Sequence, residues 1–309
     1  MKKTDNITWQ EQNDPLANLF NSSECNSPPI KMAHAVNLYR VTGTSESHAL
    51  PRQNEGSGSY SNDGQLDSEQ RSVVQSMRDS SDSLCRTCEA DVDFLGLAVR
   101  QDMYLVPRDF EPIKMIDSSF VASESSCNVS SIDPHLPKLF YLLDTVKASA
   151  SNATHIIFTN SDIHLQPWFY EICFSMLRSG YDCLIINRRT FESDPMRLPP
   201  NVVRSLRQAE LGSTHPGLDC FVFPRIWLDQ FRKTDAIIGR GAVMRSLLFN
   251  MVALAENMLV LSHAHMTYHY GDDRPWMQPE AQAAHQYNKS QAADLWLQLA
   301  REENQRKKL

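Results

Sequence analysis

The stretch Thr154-His-Ile-Ile-Phe-Thr-Asn-Ser-Asp162 is apolar through its middle and closes on three polar side chains. Such a run predicts a buried strand that delivers the carboxylate of Asp162 to its C-terminal tip. In open α/β sheets ligands bind outside the carboxyl ends of the strands, so an acid there can hold a metal or a substrate. Asn160, Ser161 and Asp162 are also residue types that turn a chain and cap a following helix.

Two further polar clusters border apolar runs: Thr214-His-Pro-Gly-Leu-Asp219, and His263-Ala-His-Met-Thr-Tyr-His-Tyr-Gly-Asp-Asp-Arg-Pro-Trp276. Alternate residues of an extended segment share a face, which predicts His263, His265, Thr267 and His269 pointing the same way. Imidazoles beside a carboxylate complete an octahedral site for magnesium or manganese when phosphate oxygens supply the remaining ligands. Arg188-Arg189, just beyond the apolar run that ends at Asn187, are placed to grip a diphosphate as bidentate donors. Each of these residues has a plainer alternative. A lone histidine is often a hydrogen-bonded structural group, Arg188 and Arg189 read equally as exposed loop residues, and Asp219 could cap backbone near Pro216-Gly217. Asp272, Asp273 and Arg274 read equally as a turn held by its own salt bridge.

The elements that must position these groups alternate between strand and helix. Strands are expected at Ala33–Val41, Val92–Val99, the run up to Asp162, Cys183–Asn187, Asp219–Phe223 and Met258–Ser262. Helices are expected from Ser68 to Met77, Leu136 to Ala148, around Trp168–Leu177 and over Gly241–Ala255. In the third of these, Trp168, Ile172 and Met176 form one row and Phe169, Cys173 and Leu177 the next, which makes its aromatics core. Strand, helix, strand across residues 154–187 predicts a parallel crossover, and the whole alternation predicts an α/β sheet. Residues 1–30 read as a flexible N-terminal arm, 31–278 as the main domain and 279–309 as a C-terminal helical appendage. The Gly43–Gln65 stretch reads either as a loop over a site or as linker.

Composition narrows the partners. A formal charge of -7 over 309 residues argues against a general nucleic-acid surface. No apolar run approaches the roughly 20 residues a bilayer span needs, and the N-terminal residues carry no signal-like apolar segment, so the expected location is cytoplasmic. The seven cysteines include one lone Cys85-Arg-Thr-Cys88 without a matching pair, which does not amount to a zinc site. Asn-x-Ser/Thr sequons begin at Asn6, Asn21, Asn128, Asn152 and Asn288 and matter only in a secretory lumen.

A strand closing on Asp162, the later Gly217-Leu-Asp219 before an apolar strand, and the C-terminal His269-Tyr-Gly-Asp-Asp273 segment together resemble the nucleotide-diphospho-sugar transferases of the GT-A type. The resemblance covers about residues 31–276 in the order of elements. It implies a GT-A-like, Rossmann-related fold with a mixed, mainly parallel central sheet flanked by helices. The family's metal motif is commonly Asp-x-Asp. Here the matching positions read Asn160-Ser161-Asp162, so the first acid is missing and the last is kept.

The resemblance implies a nucleotide-diphospho-sugar donor held by Asn160, Ser161, Asp162, Arg188 and Arg189. It implies Mn2+ or Mg2+ on Asp162, with His269 making up for the missing acid. Asp219 falls where the family often keeps its acceptor-side carboxylate, as the base for a glycan or other hydroxyl acceptor. The first half of the sheet would take the nucleotide and the second half the acceptor. Two other readings stay open: a metal-dependent hydrolase using Asp162 with His263, His265 and His269, and a non-catalytic module that binds a sugar nucleotide or glycan.

Overall fold

Ile156, Ile157 and Phe158 are successive residues and all fully buried. Successive side chains of a strand point to opposite faces, so this strand is covered on both sides. It is β4 (His155–Asn160), and in the computed structural model it lies at the middle of a seven-stranded sheet. The structure describes residues 29–38, 66–84, 91–115, 137–191, 209–215, 217–239, 241–271, 279 and 282–306.

The sheet contains β1 (Lys31–Asn37), β2 (Asp91–Val99), β3 (Glu111–Met115), β4, β6 (Cys183–Ile186), β9 (Cys220–Pro224) and β10 (Met258–Leu261), in the spatial order β10-β6-β9-β4-β1-β2-β3. Parallel pairing joins β1 to β2, β1 to β4, β2 to β3 and β6 to β10. Only β9 runs against its neighbours β4 and β6. The fold is therefore α/β, with a mixed, mainly parallel central sheet, as expected. The predicted crossover from β4 to β6 is parallel, but β9 is inserted between the two strands.

Helices cover both faces. On one face α2 (Leu139–Ser149) and α4 (Met244–Leu254) pack with Leu142, Val146, Leu247 and Met251 against Ile156, Phe158, Ile185 and Phe221. On the other, α1 (Ser68–Asp82) and α3 (Phe169–Arg178) set Val73, Met77, Phe169 and Cys173 against Met32, Ile157, Leu184 and Val222. Fully burying each such large apolar side chain contributes roughly 1.5–3 kcal/mol, which makes this double layer the main source of stability. Among the described residues, Cys173, Cys183 and Cys220 are free thiols buried in it.

The α1 helix also carries a buried polar stripe. Ser76 Oγ accepts from Leu165 N at 3.0 Å, Ser80 Oγ from Tyr170 N at 3.5 Å, and Ser161 Oγ from Gln70 Nε2 at 3.4 Å. These bonds fasten α1 along the segment that follows β4. Beneath it, His34 of β1 lies 2.7 Å from the Tyr170 hydroxyl and 2.9 Å from the Thr159 hydroxyl. Burial pushes the His34 imidazole down to about 3, so it is a neutral core residue.

A second, four-stranded sheet has the order β5-β11-β7-β8, from β5 (His164–Leu165), β7 (Arg189–Phe191), β8 (Ser213–Thr214) and β11 (Thr267–Tyr270). β5, β7, β8 and β3 have no counterpart among the strands expected from the sequence, whereas β11 lies within the segment expected to be extended. The C-terminal segment is extended only from Thr267, so the expected single face for His263, His265, Thr267 and His269 does not form. Helix α5 (Gln282–Arg306) packs on α4, with the Phe249 and Trp296 rings 5.0 Å apart. Asn288 of that helix is fully buried, donating to the Ile237 carbonyl and accepting from its N–H, so this sequon is structural. No described helix is long and apolar enough to cross a membrane. The arm up to residue 28, Gly43–Gln65, Cys85–Cys88 and Asp272–Arg274 lie outside the described residues.

Candidate functional site

The spatial order β4-β1-β2-β3 reverses the direction in which successive strands are added at β1, so the C-terminal ends of β1 and β4 border a topological switch point, where open α/β sheets bind ligands. Asn37 ends β1 opposite Asn160, which ends β4. The chain then turns through Ser161 and Asp162, with Ile163 N donating to the Asn160 carbonyl at 3.3 Å. β9 is antiparallel, so its start lies at the same edge. Its first residue, Cys220, pairs with Thr159 on one side and Ile186 on the other. Asp219 thus stands one step beyond these pairs, between the chain exits at Asn160 and Asn187.

Asp162 and His269 come together. His269 Nε2 is 3.6 Å from Asp162 Oδ2 and 3.5 Å from Glu69 Oε1, at the first turn of α1. His269 Nδ1 lies 2.9 Å from the Gly271 carbonyl oxygen. A carbonyl can only accept, so Nδ1 carries a proton, and Nε2 is the ring nitrogen turned towards the carboxylates. Asp162 Oδ1 is buried without a hydrogen-bond partner.

This donor set suits a divalent cation that takes a carboxylate oxygen and an imidazole nitrogen from the protein and its other ligands from phosphate oxygens and water. Among the described residues, no three His, Cys, Asp or Glu side chains are grouped to hold a metal by themselves.

Asp219 and Arg188 form a second pair. Arg188 Nε and Asp219 Oδ2 are 3.6 Å apart, with side-chain exposures of only 7% and 13%. Both atoms are buried without a hydrogen-bond partner, as is Asn187 Oδ1. Burial pushes the Asp219 carboxyl up to about 6, with Arg188 pulling it down and the charge of Asp162 pushing it further up. The influence of Asp162 joins the two pairs into one electrostatic site. Asn187 is fixed by its backbone N–H on Leu261 O at 3.0 Å and by its side-chain amide on the His215 carbonyl.

The other expected residues are placed differently. The Arg189 guanidinium donates to the carbonyls of Leu211 and Gly212, both at 2.6 Å, fastening β7 to the strand that follows. His263 is exposed. His265 Nε2 lies 2.8 Å from Gln166 Nε2, and the Trp168 indole donates to the His265 carbonyl at 3.3 Å. Asn160 and Ser161 stand at the switch-point edge, with Ser161 buried beneath Gln70.

The sequence carried no local signal for Glu69, Gln70, Asn37 or Asn187 as site residues. Gln70 and Ser161 are 91 residues apart in the chain and meet only through the fold.

No family model matches this sequence, and no curated protein matches it. Among solved structures, the chain is similar to S. aureus TarS 1-349 in complex with UDP-GlcNAc, with 10% identity, 79% of this chain and 60% of that one covered, and a TM-score of 0.42. It is also similar to glucosyl-3-phosphoglycerate synthase from Mycobacterium tuberculosis in complex with UDP, with 12% identity, coverage of 93% and 87%, and a TM-score of 0.44. The chain thus spans about 60% of the TarS fragment. Both likenesses are distant and concern the course of the chain alone.

Proposed function

We propose that this chain is a GT-A-type glycosyltransferase that moves a sugar from a nucleotide-diphospho-sugar donor to a hydroxyl acceptor. The observation that carries the reading is the pairing at one sheet edge of two chemically distinct centres, Asp162 with His269 and Asp219 with Arg188. Asp162 and His269 would hold Mn2+ or Mg2+, which when bound neutralises charge on the leaving diphosphate. Asn160 and Ser161 border the same donor side. Asp219 is the base: its buried carboxylate takes the proton of the acceptor hydroxyl as that oxygen bonds to the anomeric carbon and the bond to the diphosphate oxygen breaks. One displacement of this kind inverts the anomeric centre.

A carboxyl raised to about 6 suits a base at neutral pH, being ionised there yet more basic than an exposed aspartate. The hydrolase reading has less support, because of the three histidines only His269 lies against Asp162. The discriminating assay is release of nucleoside diphosphate from a panel of UDP- and GDP-sugars, with and without hydroxyl acceptors. A transferase releases it in step with a glycosylated product when acceptor is added. Release at the same rate without any acceptor would make the protein a hydrolase, and donor binding without release a non-catalytic module.

A further inference from the structure

We infer that the outer edge of β10 is a dimer interface, at which two copies of this chain pair their β10 strands antiparallel about a two-fold axis and join two seven-stranded sheets into one. The sheet has two edge strands, β3 and β10. An edge strand presents a row of backbone N–H and C=O groups that templates pairing with another chain, and monomeric proteins block it with charge or proline. β3 is blocked in this way, with Glu111 and Pro112 exposed and Lys114 in the same strand. β10 reads Met258-Leu-Val-Leu261, with neither charge nor proline, and Val260 is 45% exposed. The two edges of one sheet are thus treated oppositely, and the apolar edge is the one left in need of a cover.

The backbone shows which groups that edge offers. Asn257 and Leu261 turn their carbonyls to the β6 side, accepting from Asp182 N at 2.9 Å and Asn187 N at 3.0 Å. Successive residues point their backbone groups to opposite sides, so Met258, Val260 and, just past the strand, Ser262 direct theirs outward. Among the described residues β10 pairs with β6 alone. Residues directly opposite in an antiparallel pair can exchange both hydrogen bonds. With the axis at Val260, that residue exchanges both with its own copy, and Met258 does so with the partner's Ser262. One register therefore satisfies the whole outward row, and a second copy contains it already. Glu256 and His263 are the only ionisable side chains from 256 to 264, and both are exposed. The register sets Asn257 opposite the partner's His263, so Glu256, one residue away, approaches an imidazole and no two like charges meet.

The pairing also keeps each face of the sheet on one side. Met258 packs on the α2 and α4 face, and Leu259 and Leu261 on the α1 and α3 face. Val260 alternates with Met258 and so shares the α4 face, where Val252 of α4 is also exposed, at 40%. The two candidate sites lie at C-terminal strand ends and would open at opposite ends of the joint sheet.

The test is sedimentation velocity of the full chain over a concentration series, with Val260→Lys and Val260→Pro alongside. The first sets two ammonium groups across the axis, and the second removes an N–H that points away from β6. The expected result is a concentration-dependent dimer whose dissociation constant rises at least about tenfold in both variants, with an unchanged far-UV circular dichroism spectrum. Hydrogen exchange of the unaltered protein should slow at Met258, Val260 and Ser262 as the dimer forms and stay constant in β3, and this alone decides if a variant fails to fold. A monomer at every concentration overturns the inference, as does a dimer that both variants leave intact. Slow exchange at Val260 in a monomer would show that other residues of this chain cover the edge, and overturns it too.

Discussion

Arg188 and Asp219 face each other across 3.6 Å in a buried setting, close enough for ion pairing and too far for a hydrogen bond. Removing one member of such a pair strands the other charge, at a cost of about 3–5 kcal/mol, unless the survivor is neutralised. Asp219 can be neutralised by a proton. Arg188→Met should therefore destabilise the protein by about 3 kcal/mol at pH 8 and much less near pH 5, as measured by urea denaturation at both values. An equal loss at the two pH values would contradict this electrostatic account.

Asp219 also ties stability to pH. Its carboxyl rises from 3.8 when unfolded to about 6 when folded, mainly through burial. A raised carboxyl binds its proton more tightly in the folded state, so its contribution is fully present below pH 4 and is lost as pH climbs through 6. Wild type compared with Asp219→Asn should shift by about 3 kcal/mol in favour of the variant between pH 4 and pH 7. Activity should move the other way, rising as pH passes 6, and the variant should lose at least about 100-fold in turnover.

Gly212 has φ +60°, and a Cβ there would stand 2.4 Å from the Phe191 ring and 2.6 Å from the Thr190 carbonyl oxygen. The carbonyls of residues 211 and 212 hold the Arg189 guanidinium, so this turn sets the β7–β8 edge of the smaller sheet. Gly212→Ala should cost about 2–3 kcal/mol through strain and overpacking, visible as a lower denaturation midpoint with an unchanged slope.

His34 opposes acid. Its folded value of about 3 lies below the 6.5 of the unfolded chain, so its contribution is whole above pH 6.5 and declines as pH falls towards 3. The accumulated loss is on the order of 5 kcal/mol. His34→Gln should flatten this limb of the stability profile between pH 6 and pH 4. A profile identical to wild type would show that the imidazole does not stay neutral in the fold.

Much of the central sheet was legible because its signal is local. Three apolar residues, Ile156, Ile157 and Phe158, ahead of Asn160-Ser161-Asp162 read as a buried strand and its exit, and the rows Trp168–Ile172–Met176 and Phe169–Cys173–Leu177 read as a helix. Most of the smaller sheet was not legible. His164–Leu165 and Ser213–Thr214 are two-residue strands, too short for periodicity to register, and exist only because β11 and β7 bring partners to them. The His263–His269 segment shows the opposite failure: alternation of residue types predicted one extended face, but the chain turns at His265 and only His269 reaches Asp162. Arg188 and Arg189 are adjacent and chemically alike, yet one faces a carboxylate and the other two carbonyls. Only the strand boundary between them, at the start of β7, separates their fates.

Asp162 and His269 are proposed to hold a metal-bound nucleotide-diphospho-sugar. The most direct test is thermal unfolding with UDP, GDP and their sugars, with and without manganese, in wild type, Asp162→Ala and His269→Ala. A ligand present at about 100 times its Kd stabilises the folded state by about 2.7 kcal/mol. A manganese-dependent rise in Tm is expected with one nucleotide class, absent in Asp162→Ala and reduced in His269→Ala. No rise with any nucleotide, or a rise that persists unchanged in Asp162→Ala, would contradict it.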